Sequence, residues 1–362
     1  MNKFHHFVLF ALIAILSACG GHTEEGTDLA SSNNELRSCS WQDIDLSNIM
    51  VANEPMRFVA GVWGSSQDNV YATVSSAKAG AILHFDGQSW TQEVLPLQPM
   101  LTLRINGRSD GTQIMASVLN AAAQTVLVKY EAGVWSEMKN SPSASAIMDI
   151  VYIGDDAYAV GQDMTGANAA WFLDGDEWIK ITLPNLSDTY QLYRGYGTNE
   201  GAVFVGNRLN VDNEPIGGVM LYLDGATWYP LDVPADCVSI GDVHGSSLDD
   251  VYTTCMTQTL ESNIYHVANR SQWTSTLVDG AHVPVWSFGS NSVVTVGFSQ
   301  VSQENVNTLP EVSLFSTVIT SEGTQTSPFD SDGQLPVELW FDASGHTGYL
   351  ATFRQLYRGA CR

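Results

Sequence analysis

Past the first nineteen residues, short apolar runs are closed again and again by Gly, Ser, Asn and Asp, the punctuation of β-strands and tight turns. The clearest run, Val62-Trp63-Gly64-Ser65-Ser66-Gln67-Asp68-Asn69-Val70-Tyr71, returns as Val243-His244-Gly245-Ser246-Ser247-Leu248-Asp249-Asp250-Val251-Tyr252. Seven of ten positions are identical across an offset of 181, or four periods of about 45. A second pattern follows each such segment and ends in a tryptophan: His84-Phe85-Asp86-Gly87-Gln88-Ser89-Trp90 is the type, with later copies closing at Trp135, Trp178, Trp228 and Trp273. The tryptophans are 45, 43, 50 and 45 residues apart, the length of a four-stranded propeller blade.

Each repeat reads as two β-hairpins. Gly-Ser-Ser-x-Asp supplies turn formers between an apolar stretch and a Val-Tyr strand. Asp-Gly ahead of the tryptophan predicts a type I′ turn, which needs positive φ. The recurring ring would fill the space between blades, where each blade has a face that it cannot cover alone. Weaker copies begin at Val285-Trp286 and at Leu335, the last stopping at Arg362 with three strands. Its missing fourth strand is supplied by Ser38-Cys39-Ser40-Trp41-Gln42-Asp43, which looks like Gln88-Ser89-Trp90-Thr91-Gln92-Glu93. The expected fold is all-β: a seven-bladed β-propeller over residues 38–362, its four-stranded blades closed into a ring by the N-terminal strand.

The first residues divide into a polar start with Lys3, an apolar run from Phe7 to Leu16, and Leu16-Ser17-Ala18-Cys19. The run is too short to span a bilayer, so residues 1–19 read as a secretory signal. Its end resembles the bacterial lipobox, which implies that Cys19 is lipidated and becomes the mature N-terminus. Gly20 stands where an Asp would signal inner-membrane retention, so an outer-membrane location is expected if the source has one. Residues 20–37, polar and poor in apolar side chains, read as a flexible tether. Four cysteines remain in an exported chain, which suggests two disulfides. In the ring Cys39 and Cys361 fall on neighbouring strands of blade 7, and Cys237 and Cys255 flank the Gly245 turn.

Charge changes the functional picture. The chain carries 15 Lys and Arg against 39 Asp and Glu, a net charge of −24, with no basic run. Nucleic acid and bare anionic membrane are thereby disfavoured as partners, and membrane attachment would be through the lipid alone. The pattern Trp-Gly-Ser-Ser-x-x-Asp-Val-Tyr followed by Leu-His-Phe-Asp-Gly-x-x-Trp resembles a family of bacterial secreted or lipid-anchored β-propeller proteins. Its Asp-Gly-x-x-Trp hairpin is similar to the Asp-box of sialidase-like propellers, although His84, Phe172 or Tyr222 stands where the Asp-box has Ser. The resemblance covers about residues 39–362 and implies a fold, with no activity attached.

No catalytic kit emerges from the residues. The histidines of the propeller share no metal-ligand spacing, and no nucleophile elbow or phosphate loop is present. Asp330-Ser331-Asp332-Gly333 is the best calcium candidate but lacks a bidentate Glu, so an ordinary turn is expected. Neither cofactor nor metal is anticipated. Arg104, Tyr193 and Arg194, on innermost strands, could face the central tunnel, where a sialidase-like site would need several arginines converging on a carboxylate. Two connections between second and third strands read as long, in blade 4 with Arg208, Asp212 and Glu214 and in blade 6 with Glu304. Together with Trp286 these residues make up the candidate binding face. The leading expectation is a lipid-anchored, non-catalytic module that binds a protein or glycan. The alternatives are a carbohydrate-active enzyme at the tunnel mouth and a structural subunit of an envelope complex.

Overall fold

The computed structural model describes residues 38–258, 261–289, 292–302, 311–329 and 334–362. Seven four-stranded antiparallel sheets surround a central tunnel. Their innermost strands are Phe58–Ser66, Leu101–Gly107, Ala144–Ile153, Thr189–Gly197, Ser239–Ser247, Ala281–Gly289 and Pro336–Phe341 for blades 1 to 7. Blade 7 completes the ring as anticipated: Cys39–Asp43 pairs with Leu356–Cys361, and Cys39 stands opposite Cys361 in register. The two are joined by a disulfide, and a second joins Cys237, just ahead of blade 5, to Cys255 on its second strand. Among the described residues no helix is long and apolar enough to cross a membrane. Cys19, the tether, Glu304 and Asp330-Ser331-Asp332-Gly333 lie outside the described residues.

The hairpins before the tryptophans differ in one respect from the turn type that their Asp-Gly pairs suggest. Asp174 and Asp224 end their strands, so Gly175 and Gly225 become the first turn residues, and φ is positive there alone. That is the sign pattern of a type II′ turn. The double positive φ of type I′ falls instead at Ala132-Gly133 and Asn269-Arg270. The tryptophans pack as core. Trp135 of blade 2 meets Tyr71 of blade 1, Trp90 of blade 1 meets Tyr349 of blade 7, and Trp41 of blade 7 meets Phe329 of blade 6. Each ring leans on the preceding blade, which closes the wedge between neighbours.

The Trp-Gly pair of the motif has its own packing reason. An added Cβ at Gly107 would come within 2.7 Å of the Trp63 ring of blade 1, and one at Gly64 within 2.8 Å of the Trp340 ring of blade 7. The glycine is the seat for the previous blade's aromatic side chain. Adjacent blades are further joined by buried threonines, Thr73 donating to the Leu103 carbonyl at 2.8 Å and Thr254 to that of Val283 at 2.7 Å.

Candidate functional site

Strand register places one position of every innermost strand at the same level of the tunnel, two residues before the residue that pairs across to the second strand at Tyr71 or its equivalent. That position is Gly61, Arg104, Asp149, Arg194, Asp242, Pro284 and Glu338 in blades 1 to 7. Five of the seven are ionisable, and they meet inside the ring. Arg104 Nη1 lies 2.6 Å from Glu338 Oε2, reaching past blade 1, where Gly61 contributes no side chain. Arg194 crosses the tunnel, 3.6 Å from Asp242 and 3.8 Å from Glu338, and donates to the Val337 carbonyl at 3.1 Å. Asp149 accepts the backbone amides of Ile150 and Gly195 at 2.9 and 2.8 Å, and Asp242 that of Val285 at 3.1 Å. Each of these carboxylates therefore also stitches its blade to itself or to the next.

Burial controls the ionisation of this cluster. It pushes Asp242 up to about 7 against the opposing pull of Arg194, and pushes Glu338 above the usual carboxylate range against the same pull. Asp149 is raised strongly, first by burial and then by the charge of Glu338. Three carboxylates and two guanidiniums leave one negative charge in excess, and a proton retained by the set balances it.

Above this floor lies a cavity of about 380 Å³, lined by the ends of the innermost strands and by the turns that follow them. Its walls are aromatic. His244 stacks on Trp286 with ring centroids 3.8 Å apart, Tyr196 flanks His244 at 4.8 Å, and Trp340 meets Trp286 edge-on at 6.5 Å; Trp63, Tyr152 and Phe341 also line the cavity, among small and polar residues of the same strands and turns. His244 accepts the Ser287 amide at Nδ1, and burial holds the ring down at about 3, so it is a neutral aromatic wall. Because strands alternate in direction within a blade, this mouth opens on the face that carries the innermost-to-second turns and the third-to-outermost hairpins.

The candidate residues from sequence divide accordingly. Arg104 and Arg194 are in the tunnel and do converge on a carboxylate, but it is the chain's own Glu338. Trp286 is in the wall. Tyr193 does not face the tunnel; its hydroxyl is turned into the blade 4–5 seam and donates to the Ile240 carbonyl. Arg208, Asp212 and Glu214 sit on the opposite face, away from the cavity, where Arg208 lies 3.9 Å from Asp188 and Glu214 accepts from Asn210 at 3.0 Å. The connection read there as long is mostly strand: Gly201–Leu209 and Pro215–Asp224 leave only residues 210–214 as turn. Asp149, Asp242, Glu338, His244 and Trp340 are the residues that sequence reasoning passed over.

His84 and His266 make matching structural networks. His84 stacks on Tyr71 and bonds Asn69 at 2.8 Å, and Asn69 in turn bonds Ser65 at 2.7 Å. In blade 5, His266 stacks on Tyr252 and bonds Asp250 at 2.7 Å, while Ser246 donates to the same Asp250. The acid stands between serine and histidine, and asparagine does the same work in blade 1, so the trio is a turn brace without a nucleophile–base pair. Among the described residues no group of three His, Cys, Asp or Glu side chains is placed to hold a metal ion.

No family model matches this chain, and no curated protein matches it. The fold is shared with the solved structure of YCF48 bound to D1 peptide, at a TM-score of 0.59 over 92% of this chain and 100% of that one, with 10% sequence identity. At that identity the likeness speaks for the fold alone.

Proposed function

We propose that the protein is a non-catalytic binding module, exported and held to a membrane by lipid on Cys19, whose tunnel mouth receives a segment of a partner protein. The observation that carries this reading is the funnel itself: aromatic walls over a floor whose arginines are already occupied by the chain's own carboxylates. A sialidase-like receptor keeps its arginines free for a substrate carboxylate, and these are not free. Aromatic side chains supply large contact area at low entropic cost, the usual anchor of protein recognition. The likeness to YCF48, a propeller solved with a peptide bound, supports the same use of the fold. Residue 38 enters the ring at the start of the closing strand, on the mouth face, so a tether from Cys19 would keep the funnel turned toward whatever surrounds the anchor.

One observation favours a second reading. Asp149 and Asp242 are buried carboxylates held above their usual range at the base of a cavity, as a general acid would be. A carbohydrate-active enzyme would use them so. In-cell photo-crosslinking decides between the two, with the crosslinker placed at Ala343 on the funnel rim or at Val211 on the opposite face. A protein adduct from Ala343 and none from Val211 is expected. Adducts from Val211 alone would move the site to the opposite face. Adducts from neither, with release of reducing sugar from an envelope glycan that Asp149→Asn abolishes, would establish the enzyme.

A further inference from the structure

Three carboxylates against two guanidiniums leave the tunnel floor to be balanced by a proton, a place that one further cation could take. Arg104 and Arg194 answer Glu338 and Asp242, whereas Asp149 is held by backbone amides, and among the described residues no cation pairs with it. Asp149 lines the cavity, so the carboxyl that lacks a guanidinium partner stands at the base of the funnel. Trp63, Trp286, Trp340 and Tyr196 line the same cavity, and aromatic rings attract a cation as it leaves water. The rim continues the same field. The innermost-to-second turns carry Asp68, Asp110, Asp155, Glu200, Asp249 and Asp342, and the arginines beside them are engaged, Arg108 with Asp110 and Asp155, Arg270 with Asp224 and Asp249. Such a field draws basic partners and raises their encounter rate.

We infer that the funnel takes a basic side chain of a partner protein, a lysine or arginine whose charge completes the floor opposite Asp149. This rests on the reading of the funnel as a protein-binding site. Aliphatic carbons of the incoming side chain pass between the rings, and its charged end reaches the acidic base.

The test uses the full chain and three blocked pentapeptides, Gly-Gly-X-Gly-Gly with X as lysine, norleucine or glutamate. They are titrated to millimolar concentration by calorimetry, with tryptophan fluorescence as the second signal. The lysine peptide is expected to bind at least about tenfold more tightly than norleucine, which has the same carbon chain and no charge, and glutamate not at all. Asp149→Asn should erase most of the lysine advantage. Should that variant fail to fold, Trp286→Leu should narrow the same difference by removing a ring face. Equal or better binding of norleucine or glutamate would overturn the cationic site and leave a protein-binding funnel standing. Silence from all three peptides would overturn both.

Discussion

The two faces of the ring use the same blades for opposite ends. On the mouth face the turns are short, aromatic rings stand in the walls, and Arg104 and Arg194 meet Glu338 and Asp242 across the tunnel. On the far face the hairpins between second and third strands stand out into solvent, with Val211 98% exposed and Met164 60% exposed beside charged neighbours. A single exposed apolar side chain is ordinary surface. A cavity whose base is built from residues of five blades is expensive to assemble, because every strand must keep its register for the charges to meet. Sequence variation in turn length marks where the ring tolerates change, and the tunnel marks where it has committed its structure.

The contrast can be broken at its strongest point by Arg194→Ala, which strands Asp242 in the interior and leaves Glu338 to Arg104 alone. A loss of about 3–5 kcal/mol is expected in denaturant unfolding; a loss below about 1 kcal/mol would mean that the tunnel charges are not coupled. Next comes pH. Burial raises Asp149, Asp242 and Glu338, Asp242 to about 7, so from about pH 4 to 7 the folded chain holds protons that the unfolded chain has released. The cluster's contribution to stability therefore falls as pH rises through that window. His244 and His282, held down by burial at about 3 and about 4, act in the opposite direction over much of the same range. The difference between wild type and Asp242→Asn isolates the carboxylate: the wild type should lose stability relative to the variant by up to about 1.4 kcal/mol per pH unit, and parallel curves would refute it.

Two smaller effects sharpen the comparison. Trp286→Leu keeps an apolar wall but loses the ring that stacks on His244, so partner capture should fall by about tenfold while melting shifts only a few degrees. On the far face, Val211→Ser should leave stability within about 0.5 kcal/mol and capture unchanged. Loss of capture there would place recognition on the hairpin tips.

Much of this was legible in the chain. The repeat period, the seven blades and the closing strand follow from the spaced tryptophans, the Gly-Ser-Ser-x-Asp turns and the likeness of residues 38–43 to 88–93, because every blade must solve the same packing problem. The tunnel level was hidden by its own variety. Gly61, Arg104, Asp149, Arg194, Asp242, Pro284 and Glu338 share a position and almost no chemistry, so similarity between repeats does not reveal them. Only aligning all seven innermost strands by register brings the charges into one row, and a search guided by arginines alone finds two of five. The extended hairpin of blade 4 misled for a different reason. Arg208, Leu209 and Asn210 are all half-buried, so they show no alternation of buried and exposed positions by which a strand is recognised.

The closing seam also has a mechanical side. Tension applied to the chain upstream of residue 38 enters the ring at Cys39, the first of the five register pairs that hold the closing strand to Leu356–Cys361. Hydrogen bonds alone would have to carry that load through the backbone ladder. The bond from Cys39 to Cys361 takes it at the point of entry and passes it to the other end of the same domain, so a pull does not peel the closing strand from its ladder.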